Sequence, residues 1–181
     1  MSSPSADVSC RVAWADDAAA IARLQLATRR ADLADLLPSE ALDVDPEVAA
    51  DAWREMLTRA PDGRVRVLVA LERNRVTGFA ITSPALDPDC DPVVDAELME
   101  LTVDATERRR GHGSRLFQAC VDTMVADRFR RTVLWATATD DALRGFLESA
   151  GWSPDGAHRE LDLDGTGATT VRQVKLHTQL T

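Results

Sequence analysis

The side chains best able to do chemistry crowd into one short run: Glu97 and Glu100, then Arg108-Arg109-Arg110-Gly111-His112-Gly113-Ser114. The two carboxylates lie inside an otherwise apolar stretch, Glu-Leu-Met-Glu-Leu-Thr-Val. Burial raises a carboxyl pKa toward the range where it can take a proton at neutral pH. The basic part points to anion binding. Arginines offer paired donors to phosphate, and glycines at 111 and 113 admit a ligand close to the backbone. A helix that opens there aims unpaired N–H groups and a partial positive charge at the same spot. Its stripe is Leu116, Phe117, Cys120, Val121, Met124 and Val125, at helical spacing. Strand, turn and helix start together make an anion site shaped for phosphate or pyrophosphate.

The elements that must hold this run are legible on either side. Val8–Trp14 reads as a strand, and Asp16-Asp17 as the cap of a helix carrying Ile21, Leu24, Thr28 and Ala31. Leu36-Leu37-Pro38 ends that helix. Asp45-Pro46-Glu47 starts the next, with a stripe of Val48, Ala49, Ala52, Trp53, Met56, Leu57 and Ala60. Strands near Val65–Leu71 and Val76–Thr82 meet at Arg73-Asn74. An acidic loop, Ser83–Val94, leads to the strand Glu97–Val103. Alternation puts Glu97 with Met99 and Leu101 on one face and Glu100 with Leu98 on the other, unless a bulge intervenes. After the long helix come a strand at Thr132–Thr137, a helix from Asp141 to Ala150 closed by Gly151, and strands near His158–Leu163 and Thr170–Thr178.

Composition bounds the answer. The 181 residues suit one domain, expected over residues 9–181 after a disordered tail of residues 1–8. The net charge of −9 argues against a nucleic-acid binder, and no apolar run approaches the roughly 20 residues of a membrane span. Cys10, Cys90 and Cys120 are scattered, matching neither a disulfide framework nor a zinc motif. With no secretory leader legible in Met1–Val8, the expectation is a reduced, cytoplasmic protein that needs no metal.

Neither nucleotide fingerprint fits: the third glycine of the dinucleotide pattern is Leu116, and Gly-Lys-Ser/Thr is absent. The spacing Arg108-x-x-Gly111-x-Gly113 behind Glu-Leu-x-x-Leu-x-Val-Asp instead resembles the acetyl-CoA signature of the GNAT N-acetyltransferase superfamily. Phe146-x-x-x-x-Gly151-Trp152 and the early Leu36-Leu37-Pro38 and Trp53-Arg54 extend the likeness over about residues 8–178. The order β-α-α-β-β-β-α-β-α-β-β agrees. The resemblance implies an α/β fold with a mixed central sheet and helices on both faces.

It also implies acetyl-CoA as donor. Leu101, Thr102 and Val103 would pair their backbone with the pantetheine arm. Arg109–Ser114 would hold the pyrophosphate through backbone N–H groups, with Arg108, Arg109 and Arg110 supplying charge. His112 is expected to be solvated or beside phosphate. Glu97 matches the place of the base in several members; Glu100 and a water chain are the alternatives. The sequence departs from the family in one respect. The tyrosine usual after the phenylalanine of the last helix is Leu147, and the chain has no tyrosine. Two enzyme readings follow, acetyl transfer to a primary amine or the use of a longer acyl-CoA. A third is a non-catalytic CoA-binding module. The acceptor is expected to be a small-molecule or peptide amine, cationic if the loop aspartates attract it, and a homodimer is possible.

Overall fold

The computed structural model describes residues 8–181. The expected tail falls outside the described residues except for Val8, which already belongs to a strand. In order come β1 (Val8–Val12), α1 (Ala18–Leu33), α2 (Ser39–Leu42), α3 (Pro46–Thr58), β2 (Arg66–Glu72), β3 (Arg75–Pro84) and β4 (Asp95–Val103). Then follow α4 (His112–Ala126), β5 (Arg131–Thr137), α5 (Asp141–Ser149), β6 (Ser153–Asp162) and β7 (Thr170–Gln179). One sheet takes all seven strands in the order β1-β2-β3-β4-β5-β7-β6. Every pairing is antiparallel except β4 with β5. The mixed sheet with helices on both faces is the expected fold class.

Local chemistry accounts for several boundaries. Asp45 accepts the Glu47 N–H at 2.8 Å, and Pro46, with no N–H to leave orphaned, opens α3. Arg73 and Asn74 both take positive φ, 49° and 66°, the paired left-handed turn that matches strand twist in a β2–β3 hairpin. At the end of α5, the Gly151 N–H donates to the Glu148 carbonyl and the Trp152 N–H to that of Leu147. Gly151 sits at φ +88°, and Trp152 packs into the same core as Leu147.

Four expectations change. Asp17 does not cap α1: its carboxylate takes the Trp14 N–H and the Arg11 guanidinium, and a 3₁₀ turn leads into the helix. The short α2 was not foreseen. Val48 and Val125, assigned to buried stripes, are exposed. β6 begins at Ser153 rather than His158, because an irregular stretch between Pro154 and His158 rejoins the ladder.

The sheet separates two cores. On one face α4 and α5 bury Leu116, Phe117, Met124 and Leu147 against Leu98, Leu134 and Leu176. On the other, α1 and α3 cover Val67, Val69, Phe79 and Ile81, with Trp53 edge-on to Phe79 at 5.4 Å. Each large side chain removed from water contributes about 1.5–3 kcal/mol. Among the described residues no helix is long and apolar enough to cross a membrane.

Candidate active site

The site is built on a strand that loses its neighbour. β4 pairs with β3 along its length, but its parallel pairing with β5 covers only Asp95↔Arg131, Ala96↔Thr132 and Glu97↔Val133. Beyond Glu97 the strands part, and β5 continues with β7 alone. Leu101, Thr102 and Val103 therefore lie on an open strand edge. Such an edge can take an extended, amide-bearing ligand as an extra strand. Gly78 of β3 keeps this part of β4 close: a Cβ there would stand 2.8 Å from the Thr102 carbonyl oxygen.

The open edge leads toward the start of α4. Gly111 is its N-cap at φ +85°, and Arg115 is the first residue to bond back, to the Gly111 carbonyl. The N–H groups of His112, Gly113 and Ser114 therefore have no acceptor within the helix. Gly113 faces Val103, whose Cγ2 would meet an added Cβ at 3.5 Å. Arg108 and Arg109 are exposed and make no ion pair among the described residues, so both are available to an anion. Arg109 holds φ +62°, a strained setting for a residue with a side chain.

The side chains of Arg110 and His112 are engaged within the protein. Arg110 is paired with Glu107 and, at 3.3 Å, with Glu72. His112 is 1% exposed rather than solvated. Its Nδ1 lies 3.3 Å from the Thr77 hydroxyl, and its Nε2 3.8 Å from Glu72 and 3.9 Å from Glu107. Only its backbone N–H is offered to a ligand. Glu107 ties the loop down by holding Arg75 and Arg110. The hydrogen bond from Arg75 is the main cause that keeps its carboxyl below the usual range. No local signal in the sequence marked Glu107, because Glu72 and Arg75 come from the β2–β3 hairpin.

The two candidate bases share a face, against simple alternation. Ile81 pairs with Glu100 and Thr82 with Leu98, so Met99 is a bulge residue. Leu98 and Leu101 turn to the α4 side, while Glu97 and Glu100 turn to the α1 side. Glu100 accepts from Gln25 of α1 at 3.1 Å and from the Thr102 hydroxyl at 3.1 Å, and Gln25 accepts in turn from Trp53. Burial still raises its carboxyl above the ordinary range. Glu97 makes no side-chain hydrogen bond among the described residues. Burial, helped by nearby Asp87, lifts its carboxyl, while Arg159 and Lys175 pull it partly back.

Of the aspartates before and at the start of β4 (Asp87, Asp89, Asp91 and Asp95), three hold side chains and Asp91 accepts the Val93 N–H. Asp87 accepts the Trp135 indole N–H at 2.8 Å, Asp89 holds Lys175, and Asp95 is gripped by Arg131 at 2.9 and 3.1 Å. Lys175 is 2% exposed yet charged, kept so by Asp89, Asp155 and Asp87. Sequence reasoning missed Trp135, Arg159 and Lys175, which three different strands bring beside Glu97. Leu147 is fully buried, as read from the sequence, and so is Cys120, whose thiol burial pushes up to about 12.

The cradle suits CoA on its donors alone: an open strand edge, unpaired helix N–H groups and two unclaimed arginines. Comparison with known proteins agrees. The model of the acetyltransferase (GNAT) family matches residues 30–152. An N-acetyltransferase from Staphylococcus aureus Mu50 is similar at 19% identity and a TM-score of 0.73, over 97% of this chain and 99% of that one. A ribosomal-protein-alanine N-acetyltransferase from Brucella melitensis is similar at 19% and 0.73, over 95% and 99%. The putative acetyltransferase yncA from Salmonella typhimurium, solved with acetyl-CoA, is similar at 19% and 0.71, over 97% and 95%. No curated protein sequence matches. With the family model spanning most of the chain, including the open edge of β4 and the basic loop, this protein belongs to the GNAT acetyltransferase family.

Proposed function

We propose that the chain transfers an acetyl group directly from acetyl-CoA to a primary amine, with Glu97 as general base. The observation that carries this is the parting of β4 from β5 at Glu97. It sets an open edge that runs from the carboxylate toward the start of α4, where three N–H groups have no acceptor within the helix. Six residues separate Glu97 from Val103, about 20 Å of strand, a fitting track for an extended pantetheine arm. Leu101, Thr102 and Val103 would pair with that arm. The N–H groups from Arg109 to Ser114 would hold the pyrophosphate, with Arg108 and Arg109 as counter-charges.

Bound there, acetyl-CoA supplies an activated thioester. Glu97 takes a proton from the acceptor ammonium, which frees the nitrogen lone pair. The N–C bond forms as the C–S bond breaks, and the nitrogen's second proton goes to the thiolate. The balance is acetylamide, CoA thiol and one proton released. An N–H of the open edge near Leu101 supplies a donor for the developing oxyanion. Glu100, held by Gln25 and Thr102, is the less mobile carboxylate and the second choice as base.

The buried leucine at 147, in a chain without tyrosine, favours one other reading, a CoA-binding module without turnover. Calorimetry with acetyl-CoA and thiol release with a panel of amines separate the two. Tight binding with turnover that collapses in Glu97→Gln supports the enzyme. Tight binding without turnover of any amine leaves the module. A folded protein that does not bind acetyl-CoA overturns both.

A further inference from the structure

The face beyond Glu97 carries a second recognition element that acetyl transfer alone does not require. Trp135 lies two residues along β5 from Val133, the partner of Glu97. From β6, two strands away, Arg159 reaches back over the Trp135 ring, its guanidinium carbon 4.3 Å from the ring centroid. The Arg159 Nε donates to the Gln173 side-chain oxygen at 2.8 Å, which fixes the plane of the group. It makes no ion pair with any described carboxylate. Lys175, on the same face, is spent on three aspartates. Arg159 is thus a cation held in place by stacking and one hydrogen bond, with its remaining N–H groups unclaimed. A fixed fork of that kind matches a carboxylate with two parallel hydrogen bonds.

A second observation lies beside it. His177 of β7 faces the same way, opposite Val133, and its buried Nδ1 has no hydrogen-bond partner among the described residues. A buried polar atom left unpaired is costly in a finished protein, and this one belongs to a residue two strands across from Glu97, on the face that Arg159 overhangs. Along the sheet, the positions of Glu97 and Trp135 are about 8 Å apart, one strand spacing across and two residues along. A carboxylate at one end and an amine at the other fit that interval on a single small skeleton.

Resting on the acetyltransferase reading above, we infer that the acceptor is a free α-amino acid. Its ammonium is presented to Glu97, and its carboxylate is bound by Arg159 over Trp135. Asp89 on the same wall is paired with Lys175, and Asp87, which accepts the Trp135 indole N–H, lies 3.8 Å from the same ammonium, so that cation balances part of their charge. The reaction balance is unchanged, since Arg159 binds and exchanges no proton.

The test uses the intact chain with free amino acids of apolar side chain (leucine, methionine, phenylalanine), their amides, and dipeptides that begin with the same residues. Thiol release gives kcat and KM, and calorimetry in the presence of CoA gives binding apart from turnover. The free acid should be preferred by about tenfold to a hundredfold in KM, the worth of a charge-assisted pair. In Arg159→Ala the ratio of acid to amide KM should fall to about one, whatever the change in turnover common to both, and Arg159→Lys should restore part of the preference. Arg159 is exposed, so neither variant threatens the core. Equal use of acids and amides, better use of dipeptides, or a preference that survives in Arg159→Ala overturns the inference and leaves acetyl transfer standing. Absence of both binding and turnover with every free acid also overturns it. Loss of turnover with all amines, while acids still bind, strikes the acetyltransferase reading instead.

Discussion

Two glutamates at opposite ends of β4, Glu107 buried and Glu97 half-buried, have opposite electrostatics. Glu107, past the C-terminal end, meets Arg75 and Arg110 and is held ionised below the usual range. Glu97, at the N-terminal end, meets no hydrogen-bond donor and is lifted above it. Burial alone therefore does not decide what a carboxylate does here; the partners do. The compensated one fastens a loop, and the uncompensated one is left ready to take a proton.

The largest effect should come from Glu97→Gln. Removing the proposed general base should lower kcat/KM by about 10²- to 10⁴-fold, while calorimetry should find acetyl-CoA affinity unchanged. In the wild type, the acid limb of kcat/KM against pH should sit above the ordinary carboxylate range, since activity rises as the raised Glu97 pKa is passed. The sign for stability is the reverse. A folded-state pKa raised above the unfolded value gives stability that is present at low pH and lost as pH rises through the folded value. Glu97→Gln should therefore melt higher than wild type at neutral pH, and the gap should close in acid. A variant that loses activity and stability together would break the contrast.

Glu107→Gln should act in the opposite sense. Its depressed pKa contributes stability above the unfolded value, lost as pH falls through the folded one. The variant should melt lower than wild type at neutral pH and converge with it in acid. Acetyl-CoA should bind several-fold more weakly, with kcat at saturation nearly intact. Equal binding would show that the loop keeps its shape without the anchor.

The smallest effect sharpens the loop's own account. Arg109→Gly removes a left-handed strain worth about 1 kcal/mol, part of which the freer unfolded glycine gives back. Thermal melting should show a slight gain in stability and titration a slight loss in acetyl-CoA affinity. A stability loss would mean the arginine side chain, rather than backbone strain, dominates at that position.

Much of this is legible in the sequence, for local reasons. Asp45-Pro46-Glu47, the glycines at 111 and 113, the hairpin at Arg73-Asn74 and the stop at Gly151 act within a turn of themselves. The bulge at Met99 was not readable, because strand alternation is local and the slipped register is imposed by β3. That one residue moves Glu100 to the face of Glu97. The burial of His112 depends on Thr77, Glu72 and Glu107, distant in the chain. The Trp135–Arg159–Lys175 group exists because β7 inserts between β5 and β6, an order that spacing along the sequence does not reveal.

The three-pair seam between β4 and β5 carries a last consequence. Two antiparallel plates, β1-β2-β3-β4 and β5-β7-β6, are riveted at one end and gape at the other. A molecule lying in the gap would complete the sheet as an eighth strand, a structural member as much as a reactant. At a concentration a hundred times its Kd it would add about 2.7 kcal/mol to the fold. The protein's resistance to unfolding and proteolysis would then follow the supply of acyl donor. Amides along the seam should exchange slowly when that ligand is plentiful and quickly when it is scarce, so that the protein's own persistence would gauge its supply.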